Sequence, residues 1–220
     1  MADAEFAQHI RERYPEGLTG LFAIGATRRT YILDRNRHQE NPGHIADFSE
    51  QGAYLQGKYH DLIRTFFGLG GQNMLIAALS FRSFFERGGE YAELVSQEVL
   101  RLMNDDACEF YRQECIDPYF VGIDTLRLLP PDSPAQKTAQ AMEDFHQRWS
   151  YAEGRRKLLW EIASIPLYSF WQAYATLSES ERAALEGEVA SAGGLNDVFY
   201  SMYQRFSGSA YGTEFPVPHF

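Results

Sequence analysis

The chain has 220 residues, 45% of them hydrophobic, and a formal net charge of −10 at pH 7. This length and apolar content suffice for one substantial core, so we expect a single domain over residues 1–207 and an irregular tail over residues 208–220. The acidic balance argues against a surface that neutralises nucleic-acid phosphates, because that affinity comes mainly from clustered lysine and arginine.

The sequence also argues against a membrane-spanning or exported protein. No segment approaches the roughly 20 apolar residues of a membrane helix, and the first residues do not combine a basic head with an apolar run. Cys108 and Cys115 lack the CxxC spacing of redox or zinc sites, so we expect two buried thiols. We therefore expect a soluble, cytoplasmic protein. The aromatic content of 15% suits either a large apolar pocket or an ordinary aromatic core.

The first part of the chain predicts alternating helices and strands. Helical spacing and stop signals predict helices over residues 5–14 and 46–67, and short apolar runs predict strands over residues 18–24 and 73–79. The polar segment 28–43 has neither period, so it is interpreted as a loop after the first strand. Such short apolar strands are typical of a sheet that is buried on both faces.

The second part continues the alternation. A helix is predicted over residues 90–114, a strand over 118–122 and a helix over 133–149, where Ser133 and Gln136 have the spacing of a capping box. An apolar segment at 158–174 precedes two further predicted helices, at 178–189 and 196–206. The pattern predicts an α/β fold, in which one parallel sheet is sandwiched between helical crossovers.

The segment Gly25-Ala26-Thr27-Arg28-Arg29 follows the first predicted strand directly. In a parallel sheet, ligands bind outside the carboxyl ends of the strands, so the paired arginines are well placed to hold a diphosphate. The alternative is a solvated loop with no ligand.

The same segment resembles the Asp-Gly-Asn/Thr-Arg-Arg-Trp signature of the cis-prenyltransferase (undecaprenyl diphosphate synthase-like) superfamily. Gly43-His44 stands where that family has Gly-His, and residues 80–87 stand where it has Ser-Thr-Glu-Asn-Trp. Residues 87–102 are similar to the next helix of the branch that contains tuberculosinyl adenosine transferase and isotuberculosinol synthase, and residues 119–124 are similar to the family's third strand. The resemblance covers about residues 18–145.

This resemblance implies a cis-prenyltransferase-like fold, a homodimer, and an allylic prenyl diphosphate as substrate. Arg28 and Arg29 would stabilise the departing diphosphate as an electrostatic clamp. His44 would be a proton donor or a diphosphate contact, and its alternative is a helix cap. The further expected substrate-binding residues are Gly25, Ala26, Thr27, Tyr31, Arg82 and Arg87. For Tyr31, packing in the core is the alternative.

The sequence departs from the family at catalytic positions. Gly25 replaces the aspartate that handles magnesium and diphosphate, Ala26 replaces a glycine, and Phe81 and Arg82 stand where threonine and glutamate are expected. Two hypotheses follow. One is an atypical enzyme that transfers a prenyl group to a non-standard acceptor or forms a terpene, with or without Mg²⁺. The other is a non-catalytic subunit that supports a catalytic prenyltransferase.

Two further motifs leave alternatives open. Residues 151–155 look like the family's Asn-Tyr-Gly-Gly-Arg segment, whereas residues 158–163 look like its much later Leu-Leu-Trp-Gln-Ile-Ala, and both cannot hold without a large deletion. Residues 105–109 form a DDxxE pattern, as in the metal sites of all-helical terpene synthases, or else a solvated helix face. The predicted strands contradict an all-helical fold.

Overall fold

The computed structural model describes residues 3–24, 27–36, 45, 48–85 and 89–211. Within these ranges, four strands form one sheet in the order β1-β2-β4-β3, and every pair of neighbours is parallel. The strands are β1 (Leu18–Ala23), β2 (Gly71–Leu79), β3 (Ile116–Val121) and β4 (Arg156–Ile162). The prediction of an α/β fold with a parallel sheet is confirmed.

Helices connect and cover these strands. They are α1 (Asp3–Arg13), α2 (Thr27–Tyr31), α3 (Phe48–Gly68), α4 (Arg82–Phe85), α5 (Gly89–Arg101), α6 (Asp105–Gln113), α7 (Ile123–Arg127), α8 (Pro134–Arg148), α9 (Pro166–Thr176), α10 (Glu179–Ser191) and α11 (Leu195–Tyr211). A turn of π-helix, Ile32–Asn36, continues α2. No helix of the described ranges is both long and apolar enough to cross a membrane.

The two faces of the sheet carry cores of different size. Met74, Ile76 and Trp160 point into the larger one, where residues of α3, α5, α6 and α8 join them. Leu75 and Leu159, which alternate with them along the strands, belong to a smaller cluster on the other face. Because β2 and β4 are central and covered on both sides, their residues form nearly continuous apolar runs.

Several predicted elements differ from the structure. The expected helix over residues 90–114 is two helices, because Asn104 interrupts it and caps α6 by accepting a 2.8 Å hydrogen bond from the amide of Ala107. The loop predicted over residues 28–43 is helical over 28–36, and residues 37–44 lie outside the described part. The expected capping box does not form, since Gln136 donates instead to backbone carbonyls such as that of Leu129, at 2.7 Å.

The C-terminal tail and one cysteine also differ from the predictions. Helix α11 continues to Tyr211, so residues 208–211 are helical, while residues 212–220 lie outside the described part. Both cysteines are free thiols, but Cys115 is exposed, whereas Cys108 is buried as expected. Cys115 sits at the end of α6 with a positive φ of 53°.

Candidate functional site

A cavity of about 470 Å³ lies where β2 ends, between α3 and α5. Its wall includes Arg28, from the helix that follows β1, and Ser80 and Ser83, which follow β2. The carboxyl ends of two neighbouring parallel strands therefore meet a cavity of the size of a small-molecule pocket. Much of the remaining wall is apolar, with Leu55 and Val95 as examples.

The structure places the predicted site residues unevenly. Arg28 lines the cavity, whereas Arg29 and Arg82 have exposed side chains outside the cavity wall. Tyr31 is only 3% exposed and packs edge-on against Tyr54, with ring centroids 5.4 Å apart, so the structure favours the core interpretation. Thr27 begins α2. The remaining predicted residues lie outside the described ranges: Gly25, Ala26, His44 and Arg87.

The cavity also contains polar groups that the sequence analysis missed. Glu98 and Arg101 enter its wall from α5, and the Arg101 Nε lies 3.4 Å from the Glu98 Oε1. The Nη2 of Arg101 donates a 2.7 Å hydrogen bond to the Ser49 hydroxyl. Gln56 donates to the Arg101 carbonyl at 3.3 Å. An ion pair held from both helices thus interrupts the apolar lining.

Burial changes the acidity of two groups in this wall. It raises the pKa of the Glu98 carboxyl, although the nearby Arg101 acts in the opposite direction. Burial also raises the pKa of Tyr59 to about 12, and the negative charge of Glu98 adds to this effect. Tyr59 therefore stays protonated and uncharged over a wider pH range than an ordinary tyrosine.

The described residues do not fit a magnesium site at this edge of the sheet. Among them, no group of three or more His, Cys, Asp or Glu side chains could hold a metal ion. Glu98 brings a carboxylate into the cavity wall, but that carboxylate pairs with Arg101. The DDxxE pattern on α6 is a solvated helix face, in which Asp105, Asp106 and Glu109 are exposed. Glu109 pairs with Arg112 at 3.6 Å.

The segment 151–155 lies at the other end of the sheet. Arg156 opens β4 and pairs in register with Ile116, the first residue of β3. The Arg155 guanidinium donates to Asp117 at 3.2 Å, close to the same amino ends. About six residues of strand, roughly 20 Å, separate this position from the carboxyl ends of the sheet. Arg155 is therefore not part of the edge that carries Arg28.

Comparisons with known proteins are informative at the level of the fold. No family model matches the chain, and no curated protein matches it. Among solved structures, the chain is similar to lavandulyl diphosphate synthase from Lavandula x intermedia, determined in complex with dimethylallyl diphosphate. The TM-score is 0.52 and the identity 15%, over 89% of this chain and 71% of that chain. The likeness shows the fold alone: the chain has a cis-prenyltransferase-type α/β fold, while membership of that superfamily and of any of its branches stays a prediction.

Proposed function

We propose that the chain is an enzyme that ionises an allylic prenyl diphosphate in the cavity beside β2. The observation that carries this proposal is the position of Arg28 in the cavity wall, at the carboxyl ends of β1 and β2. An arginine there offers fixed N–H donors to a diphosphate, while the apolar wall accepts a hydrocarbon chain. The solved synthase with a bound prenyl diphosphate supports this choice of substrate class through the shared fold.

The proposed reaction needs a charge clamp at one end and a dry cavity around the prenyl group. Arg28 stabilises the negative charge that develops on the diphosphate as its bond to the allylic carbon breaks, and Arg29, exposed outside the cavity wall, is the second arginine proposed to contact this group. Tyr59 and Tyr91 line the cavity, and aromatic rings there would stabilise the allylic cation. The cation is then captured by an acceptor or by another part of the prenyl chain.

The other predicted residues keep supporting roles in this proposal. His44, Arg82 and Arg87 remain candidates for contacts with the substrate. Tyr31 is assigned to positioning α2, because it packs on Tyr54. Mg²⁺ would add charge at the diphosphate if it binds there, but the residues described at this edge provide no ligand set for it.

Turnover of prenyl diphosphates tests the proposal. The purified protein is incubated with dimethylallyl, geranyl, farnesyl and geranylgeranyl diphosphates, with and without Mg²⁺, and diphosphate release and organic products are measured. We expect Arg28→Ala to lower kcat/KM by about 100-fold or more, the usual cost of removing a donor at a developing charge. Arg11→Ala, an exposed arginine on α1, is the matched control and should leave turnover unchanged. Equal turnover in the two variants would remove Arg28 from the mechanism.

A second candidate function is a non-catalytic subunit, and Gly25 at the position of the family aspartate favours it. Its test is co-purification from cells: a stable complex with an active prenyltransferase, without turnover of the isolated chain, would support the subunit. Analytical ultracentrifugation of the pure chain distinguishes the expected homodimer from a monomer that requires a different partner. The proposed cytoplasmic location is tested by fractionating the cells.

A further inference from the structure

The segment that carries Arg28 is short and basic. Helix α2 has five residues, and the π-helical turn Ile32–Asn36 adds five more. Among these residues, Arg28, Arg29 and Arg35 are basic, and Asp34 is acidic. Helical stretches of this length are marginal on their own in water, so the position of the segment depends on the elements against which it packs.

Tyr54 of α3 contacts this segment through both its ring and its hydroxyl. The ring packs edge-on against Tyr31, and the guanidinium carbon of Arg35 lies 5.7 Å from the ring centroid. The hydroxyl donates a hydrogen bond to the Asp34 carboxylate. One side chain of a long helix thus contacts both α2 and the π-helical turn that continues it.

Lys58, one turn further along α3, reaches the same carboxylate. Its Nζ lies 3.8 Å from the Asp34 Oδ2 and 5.3 Å from the centroid of the Tyr54 ring. About half of each charged side chain is exposed, so this ion pair contributes little by itself. The hydrogen bond from Tyr54 is charge-assisted and directional, and it is therefore the contact that sets the position of Asp34.

Tyr54 lies next to the helix of Arg28 and outside the cavity wall. Arg28 lines the cavity, and Tyr31 follows it by three residues on α2, nearly one helical turn. Tyr54 itself does not line the cavity, although Leu55, its neighbour on α3, does. A change in the contacts of Tyr54 can therefore move Arg28 without altering any contact between Tyr54 and a substrate.

We infer that Tyr54 is a positioning residue for Arg28, an inference that rests on the prenyl diphosphate function proposed above. Its ring holds Tyr31 and its hydroxyl holds Asp34, so both halves of the segment are fixed on α3. The guanidinium of Arg28 then meets the diphosphate in one position, and a displacement of about 1 Å at such a group can cost about 100-fold in rate.

Tyr54→Phe tests this inference, because phenylalanine keeps the ring and removes only the hydroxyl. We expect kcat to fall by about 10- to 100-fold and KM to change little, since the apolar wall that holds the prenyl chain is unaltered. Tyr174→Phe is the matched control: the half-buried Tyr174 donates a 3.2 Å hydrogen bond to Glu186, and the Arg182 guanidinium lies 5.3 Å from its ring centroid. This contact joins α9 to α10, outside the cavity wall, so its loss should leave kcat unchanged.

Combination with Arg28→Ala separates positioning from a general loss of folded protein. In the Arg28→Ala background, Tyr54→Phe should have no further effect on the residual turnover, because the group that it positions is gone. An equal loss in both backgrounds would overturn this inference and leave the proposed function standing. Turnover by Tyr54→Phe equal to that of the unmodified chain would do the same.

Hydrogen exchange provides a second readout, which requires no turnover. The backbone amides of residues 28–36 should exchange faster in Tyr54→Phe than in the unmodified chain, whereas Tyr174→Phe should leave their exchange unchanged. Equal exchange in all three proteins would also overturn the inference. If the unmodified chain turns over no prenyl diphosphate, the proposed function fails, and this inference fails with it.

Discussion

Two carboxylates inside this molecule have very different surroundings. Asp117, at the amino end of β3, is 1% exposed and accepts hydrogen bonds from the Trp149 indole at 3.0 Å, the Ala152 amide at 2.9 Å and the Arg155 guanidinium at 3.2 Å. Glu98, half-buried in the cavity wall, has the Arg101 Nε at 3.4 Å. The first carboxylate is saturated with donors, as expected of a structural anchor, whereas the second pairs with a flexible arginine side chain.

The difference follows from where the donors come from. Around Asp117 they are a backbone amide and the indole of Trp149, whose ring stacks on Phe145 with centroids 5.3 Å apart. Nearby, the Tyr151 hydroxyl donates to the Pro118 carbonyl at 3.0 Å. These groups are held by the core, so the carboxylate geometry is fixed. Glu98 instead faces a long arginine side chain that also reaches Ser49, and such a pair can rearrange when a ligand enters.

Removing the saturated carboxylate should have the largest effect on stability. Asp117→Ala leaves the buried Trp149 indole N–H and the Ala152 amide without acceptors, and each unsatisfied buried donor costs about 1–3 kcal/mol. We therefore expect the free energy of unfolding to fall by about 3 kcal/mol, measured by urea denaturation followed by circular dichroism.

Asp144→Ala provides the control for that loss, because Asp144 is exposed on α8 and its hydrogen-bond partner Gln140 is exposed as well. This change should stay within about 0.5 kcal/mol. Similar losses in the two aspartate variants would contradict the description of Asp117 as an anchor.

A smaller effect should come from His146, a half-buried residue of α8. Its Nε2 accepts a 2.9 Å hydrogen bond from the Phe120 amide, and burial lowers its pKa below the usual 6.5. The unfolded chain then binds the proton more readily than the folded one, so stability is highest above pH 6.5 and falls as the pH drops below it. We therefore expect the free energy of unfolding to decrease between pH 7 and pH 5.5, and urea denaturation at the two pH values measures this loss.

The variant His146→Gln isolates this contribution. Glutamine has an amide oxygen that can accept a hydrogen bond, and it does not titrate. Its stability should therefore depend less on pH between 5.5 and 7 than that of the unmodified chain. Some dependence should remain, since burial also lowers the pKa of His60. An unchanged slope would show that His146 is not the group responsible.

The sequence predicted the parallel sheet well because three of its strands are short apolar runs between clear stop signals. It missed β4, since Leu158 and its apolar neighbours run on toward α9 and the run has no single period. The break after α5 was missed for a related reason: Leu102 and Met103 continue the apolar pattern, and only the cap at Asn104 marks the interruption.

The sequence predicted Arg28 as a site residue, but it did not predict Glu98 and Arg101. Arg28 follows directly from its position after the first strand. Glu98 and Arg101, by contrast, are three residues apart on a helix, which is the spacing of countless surface ion pairs. The available signal was Gly52, because glycine is unfavourable inside a helix and its presence there needs a reason in packing. That reason is visible only in the structure, where a Cβ at Gly52 would lie 2.2 Å from the Glu98 Oε2.

The smallest effect on stability should come from Glu98→Gln, although this residue is central to the cavity. Because burial raises the pKa of Glu98, the folded chain binds its proton more readily than the unfolded chain, and ionisation at neutral pH works against folding. We expect Glu98→Gln to change the free energy of unfolding by less than about 0.5 kcal/mol at pH 7.5, toward greater stability. The gain should shrink as the pH falls through the raised pKa, where the carboxyl is already neutral, and urea denaturation at pH 7.5 and pH 5 measures both values. A loss as large as that of Asp117→Ala would mean that Glu98 is a second anchor.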